Sequence, residues 1–300
     1  KSMLDANQGK RSILTDVKTK KGREVFERLI KWADVVVHNC LDDVAERLGV
    51  THVQLQNVKP DVVSCQLSAF GGTKRGGWEL RTGFDPIAQG ASGLMAQFGT
   101  LEEPHWHGMT SCGDTMGGLG LAYSALLGSY QKNKTGYAGE SRTSLARMIN
   151  FIQLPCMIAE QGRSEWGEVH GQFALGQNPW QRLYGCKNGW IYVGTNKERS
   201  PVLAEVVSGE QTMIERTLET KFADYDCDYW LEKLSVAGIA CHKVLTVQDM
   251  IAQGSRLVSN NTEDEVATGA SEILRWEDHP CGHSVILGAA DWVRVGESQS

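Results

Sequence analysis

Two stretches decide the fold of this chain: Ala33-Asp-Val-Val-Val-His38 and Pro60-Asp-Val-Val-Ser-Cys-Gln-Leu-Ser68. Each holds a short run of apolar, largely β-branched residues, which is typical of a strand buried on both faces of a parallel sheet. Residues 41–48 between them predict a short helix, and Gly49 follows as its C-terminal cap. Strand, helix and strand in this order predict a right-handed βαβ unit.

The same alternation continues on both sides of this unit. Upstream, residues 11–17 predict a strand, and residues 22–30 predict a helix with apolar side chains at helical spacing. Downstream, helical spacing predicts three further helices, over residues 84–97, 114–132 and 144–160. We therefore expect an α/β fold whose large domain contains a doubly wound, Rossmann-like parallel sheet.

The second half of the chain differs in composition and spacing. Residues 161–181 are rich in Gly and Gln with little periodicity, which predicts a long loop. Asn188-Gly189 between two apolar segments predicts a β-hairpin. Two helices and a strand are predicted after it, at 201–207, 229–236 and 241–245. We expect three segments: a large domain over 1–181, incomplete at its N-terminus, a smaller α+β domain over 182–262, and a return to the large domain over 263–300.

Composition and charge argue against several classes of protein. Hydrophobic residues make up 41% of the 300 residues and charged residues 22%, as in an ordinary globular protein. The sequence has no run of 18 apolar residues that would span a membrane. A formal net charge of −6 without a basic segment argues against a nucleic-acid partner. Because the first residues lack the apolar core of a secretory signal, we expect a cytoplasmic protein with no membrane partner.

The eight cysteines predict neither disulfides nor a metal site. They contain no C-x-x-C pair, and a chain of this length without a secretory signal is expected to keep its thiols reduced. We therefore expect no bound metal.

The segment Ser111-Cys-Gly-Asp-Thr-Met-Gly-Gly-Leu-Gly120 holds the strongest candidate for chemistry, Asp114. On the residues alone, an Asp that opens a helix is most often its N-cap. The functional alternative is a nucleophile, because a helix N-terminus favours an ionised carboxylate and the neighbouring glycines let a substrate approach. Such a carboxylate could attack an activated acyl group while backbone amides stabilise the oxyanion.

Asn39 and Arg47 are candidates for binding a ligand. Asn39 follows a predicted buried strand, and ligands of open α/β sheets bind at the carboxyl ends of such strands. Arg47 lies near the end of the next helix, where a cation is favoured for structural reasons alone. Its guanidinium group could also bind phosphate oxygens, and the spacing leaves both interpretations open.

Five stretches, in order along the chain, resemble the class III CoA-transferases (CaiB/BaiF type), the family of formyl-CoA transferase and carnitine CoA-transferase. They are Asn7-Gln-Gly-Lys-Arg-Ser-Ile-Leu-Thr-Asp-Val-Lys18, Ala33-Asp-Val-Val-Val-His-Asn-Cys40 with Arg47-Leu-Gly49, Gly83-Phe-Asp-Pro-Ile-Ala-Gln-Gly-Ala-Ser-Gly93, Gly113-Asp-Thr-Met-Gly-Gly118 with Lys134-Thr-Gly136, and Trp230-Leu-Glu-Lys-Leu-Ser-Val-Ala-Gly-Ile-Ala-Cys241. Together they extend over nearly the whole chain.

The resemblance implies an activity, a site and an assembly. The activity is transfer of CoA between an acyl-CoA and a carboxylic acid through an aspartyl anhydride and an aspartyl-CoA thioester, with Asp114 as the catalytic nucleophile. The other implied site residues are four that bind CoA and two in an active-site loop: Asn39, Cys40, Arg47 and Phe84, and Gly176 and Gln177. CoA enters as the acyl-CoA substrate, no metal takes part, and the assembly is an interlocked homodimer.

Two departures from the family pattern leave alternatives open. The family begins with a strand, a loop and a further βα unit that would precede this sequence, so we expect a fragment or part of a fused polypeptide. The related 2-methylacyl-CoA racemases carry a His where this chain has Phe84, and a phenyl ring cannot exchange a proton. The alternatives to a transferase are a CoA-dependent lyase, a racemase-like enzyme on the same scaffold, and a non-catalytic half of a fused CoA-transferase.

Overall fold

The structure, a computed structural model, describes residues 10–71, 77–78, 81–108, 112–157, 169–212, 214–246 and 248–249, and the backbone of 256–258 and 273–275. The chain divides into two compact units. One is Thr15–Gln177, and the other combines Lys1–Leu14 with Asn178–Ser300. Among the described residues, none of the helices has the length and hydropathy needed to cross a membrane.

The unit Thr15–Gln177 contains a three-stranded parallel sheet. Its strands are β1 (Val35–His38), β2 (Val63–Ser68) and β3 (Glu140–Ser144), in the order β1-β2-β3. Among the described residues of this unit, eight helices accompany them: α1 (Lys20–Trp32), α2 (Asp42–Leu48), α3 (His52–Val58), α4 (Asp85–Ala91), α5 (Leu94–Phe98), α6 (Cys112–Thr135), α7 (Leu145–Ile152) and α8 (Leu154–Met157). The predicted α/β class with a parallel sheet is therefore confirmed.

Local signals explain where several of these helices begin and end. Gly49 has φ +72° and closes α2 in the left-handed conformation, as predicted. Thr51 starts α3 through a capping box with Gln54, in which each side chain bonds the other residue's backbone N–H. Gly93 has φ +80° and separates α4 from α5. The single helix expected over residues 84–97 is therefore wrong, because the helical spacing continues through a residue whose backbone is not helical.

Apolar residues cover the sheet on both of its faces. On one face Ile30 of α1 and Leu55 of α3 are buried together with Val62. On the other, Val63 and Cys65 of β2 are buried beside partly buried residues of α6. Each fully buried aliphatic side chain contributes roughly 1.5–3 kcal/mol to folding.

Glycines let α6 approach its neighbours closely. A Cβ atom on Gly128 would lie 2.5 Å from Cγ1 of Val63, at the start of β2. A Cβ atom on Gly117 would lie 2.6 Å from a Leu145 methyl group and 3.4 Å from Leu67, near the end of β2. The helix therefore runs antiparallel to β2, and its N-terminus lies at the carboxyl edge of the sheet, where open α/β sheets bind ligands.

The second unit is built on an antiparallel sheet. The sheet has the strand order β4-β5-β6-β7, with β5 (Gln181–Cys186), β6 (Gly189–Gly194) and β7 (Ala240–Lys243) inside this unit. Of β4 (Gly176–Asn178), only the last residue belongs to it. The helices α9 (Ser200–Ser208), α10 (Glu215–Ala223) and α11 (Cys227–Val236) accompany it, and β8 (Arg256–Val258) pairs with β9 (Ile273–Arg275). The predicted hairpin is confirmed, with Cys186 opposite Gly189. The core includes Tyr184, Phe222 and Trp230.

Some sequence expectations differ from the structure. The strand expected over 11–17 is wrong: residues 10–16 have no regular structure, and a turn from Asp16 to Thr19 leads into α1. The loop expected over 161–181 contains β4 and the start of β5, and its residues 161–168 lie outside the described ones. Of the segment expected to return to the large domain, 263–300, only the backbone of 273–275 is described.

Candidate active site

Asp114 is the third residue of α6 and its side chain is exposed. Because it lies inside the first helical turn, it is not the N-cap that the residues alone favoured. The N-terminus of α6 lies at the carboxyl edge of the sheet, so the carboxylate is presented where a ligand would bind.

Another carboxylate performs the capping at this helix. Asp85, the first residue of α4, is 2% exposed. Its Oδ1 accepts N–H bonds from Gly113 (2.6 Å) and from Asp114 (3.3 Å). Its Oδ2 accepts from Nε2 of Gln89 (2.7 Å) and Nε1 of Trp106 (3.3 Å). The first turn of α6 is thus held by a side chain that lies 28 residues upstream of Gly113.

The electrostatics of Asp114 follow from this arrangement. Although Asp114 is exposed, partial desolvation of its carboxyl group and, after it, the negative charge of Asp85 raise the pKa of Asp114 above its ordinary value. The same two causes raise the pKa of the Cys112 thiol. The sequence-based expectation was the opposite, that the helix N-terminus would favour the ionised carboxylate. Here two of the free N–H groups of that terminus already bond to Asp85.

The residues expected to bind CoA lie in the same unit as Asp114. Asn39 and Cys40 directly follow β1, so they share the carboxyl edge of the sheet with Asp114; Asn39 is exposed and Cys40 is half-buried. Arg47 is exposed in the last turn of α2. Phe84 is 67% exposed and immediately precedes Asp85.

The residues expected in the active-site loop, Gly176 and Gln177, are held by contacts away from Asp114. Gly176 and Gln177 begin β4. The Gln177 side chain accepts from the N–H of Val169 (3.1 Å) and donates to its carbonyl (3.0 Å). These bonds tie the segment to Val169, and they do not join it to the first turn of α6.

A polar cavity of about 170 Å³ lies beside the segment that follows β1. Arg142 of β3 donates to both carboxylate oxygens of Asp42, at 3.0 and 3.1 Å. Gln66 of β2 donates to the Cys40 carbonyl at 2.7 Å and so fixes this residue of the expected CoA site. Burial, and then the positive charge of Arg142, lower the pKa of His38, which favours the neutral imidazole at pH 7.

Sequence reasoning missed Asp85, Gln89 and Trp106. Asp85 and Gln89 were interpreted only as part of the helix expected over residues 84–97, and in the structure Asp85 begins α4. The i, i+4 spacing of Asp85 and Gln89 was the available signal, because such residues are neighbours on a helix surface. In the described part of the chain, no three His, Cys, Asp or Glu side chains are grouped so that they could hold a metal.

The fold and the site define a class of protein: an α/β protein that presents a carboxylate on a helix N-terminus at the carboxyl edge of a parallel sheet. The family model of CoA-transferase family III matches residues 2–280, and the chain belongs to this family.

Three relatives show the range of the similarity. The chain is 31% identical over 281 residues to the CoA-transferase/lyase DddD of Marinomonas sp., a match covering 92% of this chain and 33% of the relative. It is 27% identical over 201 residues to succinyl-CoA:glutarate CoA-transferase of Homo sapiens, covering 65% of this chain and 44% of the relative. It is 26% identical over 267 residues to the bile acid CoA-transferase BaiK of Clostridium scindens, covering 79% and 60%. The chain thus spans a third to three fifths of the length of these relatives.

Solved structures share the fold. A CAIB/BAIF family protein from Brucella suis superposes with a TM-score of 0.68 at 21% identity, covering 97% of this chain and 76% of that one. The hypothetical protein Rv3272 from Mycobacterium tuberculosis gives 0.66 at 19% identity, covering 82% and 72%.

Proposed function

We propose that this chain transfers CoA between an acyl-CoA and a carboxylic acid, with Asp114 as the nucleophile. The observation that carries the proposal is the exposed Asp114 carboxylate on the first turn of α6, at the carboxyl edge of the sheet, in a member of CoA-transferase family III. A free carboxylate in that place can reach a bound thioester, and no metal is needed to activate it.

The proposed reaction proceeds through covalent intermediates on Asp114. An Asp114 oxygen attacks the thioester carbonyl carbon, the C–S bond breaks, and CoA leaves as the thiolate. The thiolate then attacks Cγ of Asp114 in the mixed anhydride, which releases the donor acid and leaves an aspartyl-CoA thioester. The acceptor carboxylate repeats the sequence in reverse, forming a second anhydride from which the thiolate takes the acyl group and frees Asp114. Division into such steps lowers the barrier of each one.

The proposed CoA site uses the residues that border this edge. Asn39 and Cys40 follow β1 directly, and the exposed guanidinium group of Arg47 is suited to the phosphates of CoA. Phe84, exposed beside Asp85, would contact the bound CoA. Gly176 and Gln177 are proposed to belong to the loop that covers the site.

The proposal includes the whole assembly. The large domain would be a doubly wound sheet, supported by helices on both faces of the three strands described. The second unit would be the smaller α+β domain, and the partner would be a second copy in an interlocked homodimer. Large apolar side chains on one face of α6 support a partner, because they are half or more exposed: Leu119, Tyr123, Leu126 and Tyr130.

Asp114→Asn in the full-length protein tests the nucleophile. We expect CoA transfer to fall on the order of 10⁴-fold or more, because an amide cannot form the anhydride. Asp228→Asn is the matched control, since Asp228 is also an exposed Asp in the first turn of a helix, α11, where it pairs with Lys243. The control should transfer at the wild-type rate. Full activity in Asp114→Asn would exclude this mechanism.

A CoA-dependent lyase is the second candidate. The Marinomonas relative is named a CoA-transferase/lyase, and this chain matches a third of its length. A transferase returns both acids with their carbon skeletons intact, whereas a lyase releases a fragment of one acid. Mass spectrometry of the products therefore separates the two.

For the racemase alternative, Phe84 offers no proton, so the full-length protein should not exchange the substrate's α-proton in D₂O.

A further inference from the structure

Asp85 is a buried carboxylate with an unusually complete set of donors. It is 2% exposed, and four N–H groups from three segments bond to its two oxygens. A buried charge is tolerated only where such bonds replace those lost to water. The position of this carboxylate relative to α6 is therefore fixed by contacts on every side.

Gln89 anchors the side of Asp85 that faces away from α6. Its side chain is fully buried, and its Nε2 donates to Oδ2 of Asp85 at 2.7 Å and to the carbonyl of His107 at 3.1 Å. Its Oε1 accepts the N–H of His107 at 3.1 Å. Trp106 of the same loop adds its Nε1 bond to Asp85. The loop before α6 and the first turn of α6 are thus joined through one carboxylate.

Close contacts with Asp85 leave the first turn of α6 little freedom to move. A Cβ atom at Gly113 would lie 2.6 Å from Oδ1 of Asp85 and 2.8 Å from Cδ1 of Ile149, so the backbone is already in close contact. The next residue is Asp114, whose own N–H bonds to the same oxygen. A shift of Asp85 would therefore shift the backbone that carries the nucleophile.

We propose that Asp85 is a positioning residue for the reaction at Asp114. Its side chain holds the first turn of α6 so that the Asp114 carboxylate meets the thioester, and its negative charge lies beside the Asp114 carboxylate. The proposal rests on the proposed function only for its kinetic part. The structural link between the two carboxyl groups exists without substrate.

The link also predicts how Asp114 titrates. Burial and the charge of Asp85 raise its pKa. Other titratable or charged side chains on elements packed against α6 are not among the causes: Cys65 on β2, Arg147 on α7, His38 on β1, and Glu140 and Arg142 on β3. Removal of the Asp85 charge should therefore lower the pKa of Asp114, because a neighbouring negative charge disfavours ionisation.

Asp85→Asn and the double variant Asp85→Asn with Gln89→Glu separate positioning from folding. In the single variant the new Nδ2 faces Gln89 and Trp106, which are also donors, so folding stability should fall. In the double variant the carboxylate introduced by Gln89→Glu can accept from that Nδ2 and from the N–H of His107, so the melting temperature should recover in part. Recovery is incomplete because the His107 carbonyl loses the bond that Nε2 of Gln89 donates. The negative charge then lies at position 89, one turn along α4 from position 85. Asp61→Asn is the control, since Asp61 is exposed and pairs with Lys132 at 2.8 Å.

Two measurements on the full-length protein test these variants: the kinetics of CoA transfer, and an NMR titration of the Asp114 carboxyl group. We expect both Asp85 variants to lose about 100-fold in kcat with little change in the KM for acyl-CoA. The Asn oxygen that faces Gly113 and Asp114 is neutral and holds their N–H groups less tightly than a carboxylate does, which misplaces the reacting group. In protein labelled with ¹³C at the Asp carboxyl carbons, with the Asp114 signal assigned through Asp114→Asn, that signal should titrate at lower pH in both variants. Asp61→Asn should match the wild type in both measurements.

Three results would overturn the inference. They are an unchanged Asp114 titration in Asp85→Asn, a wild-type kcat in that variant, and a double variant that regains kcat together with its melting temperature. If Asp114→Asn itself retains transfer activity, the proposed function fails instead. The titration, which needs no substrate, then still decides whether Asp85 acts on Asp114.

Discussion

A carboxylate in the first turn of a helix normally gains from the free N–H groups of that turn. At Asp114 the gain is offset, because Asp85 already accepts the N–H groups of Gly113 and Asp114 and carries a like charge. The result is an exposed carboxylate with a raised pKa on a rigidly held backbone. These are the properties that distinguish Asp114 from an ordinary surface Asp.

Alkylation of Cys40 tests the proposed CoA site. Cys40 is half-buried directly after β1, and a CoA molecule on Asn39 and Cys40 should shield its thiol. With CoA at ten times its Kd, we expect modification by iodoacetamide to slow about tenfold, because only the free protein reacts. Peptide mass spectrometry measures the rate for each cysteine.

Two other cysteines serve as controls in that experiment. Cys156 on α8 is half-buried outside the proposed site, so CoA should leave its rate unchanged. Cys65 is 1% exposed and burial raises its pKa to about 11, so it should react only when the protein unfolds. Equal slowing at Cys40 and Cys156 would argue against CoA binding at the end of β1.

The sequence allowed Asp114 to be predicted as a candidate because its local signals, an Asp among glycines at a helix start, lie close together in the chain. Asp85 could not be predicted as its partner, since the bonds from Trp106 and Gly113 join residues 21 and 28 positions apart. Local spacing carries no information about such pairs. The spacing around Arg47 left a structural explanation open, and only the resemblance to the family implies that it binds CoA.

At the scale of elements, the glycines of α6 set the distance between the helix and the sheet. Gly128→Ala should destabilise the protein by about 1–3 kcal/mol, because the new methyl group would overlap Cγ1 of Val63, a stiff β-branched side chain. Gly118→Ala should instead stabilise it by roughly 0.5–1 kcal/mol, since a Cβ there meets nothing within 4 Å and Ala is the better helix former.

Denaturant unfolding of the two variants compares them directly. Both variants replace Gly by Ala in α6, so the gain in helix propensity is the same in each. A difference between their free energies of unfolding therefore reports the difference in packing. Equal stability changes would contradict the close approach of α6 to β2.

The strands show why local pattern succeeds for some elements and fails for others. β1 and β2 were predicted because they are apolar runs, and β2 lies between two neighbouring strands. β3, with the sequence Glu-Ser-Arg-Thr-Ser, was missed because it has no apolar run; its Glu140 and Arg142 line the cavity beside β1, where Arg142 bonds to Asp42. Residues 11–17 were expected to form a strand, yet residues 11–16 have no regular structure and β1 and β2 pair without them.

At the level of the whole molecule, α6 has an exposed apolar face that the proposed second copy would cover. Leu126 is 69% exposed at the centre of that face. If a second copy covers it, Leu126→Glu should weaken the homodimer and shift the protein toward monomers in analytical ultracentrifugation, because a buried unpaired charge is costly. Val236→Glu is the control, since Val236 is 87% exposed at the end of α11. A wild-type monomer, or equal effects of both variants, would contradict the proposed assembly.

Trapping of the covalent intermediate tests whether Asp114 is the nucleophile. The full-length protein is incubated with an acyl-CoA and hydroxylamine, which converts an aspartyl anhydride or thioester into a stable hydroxamate, and is then analysed by peptide mass spectrometry. We predict a hydroxamate on Asp114 that forms only when acyl-CoA is present and is absent in Asp114→Asn. Continued CoA transfer with Asp114 unmodified, or a hydroxamate on another carboxylate, would exclude Asp114 as the nucleophile.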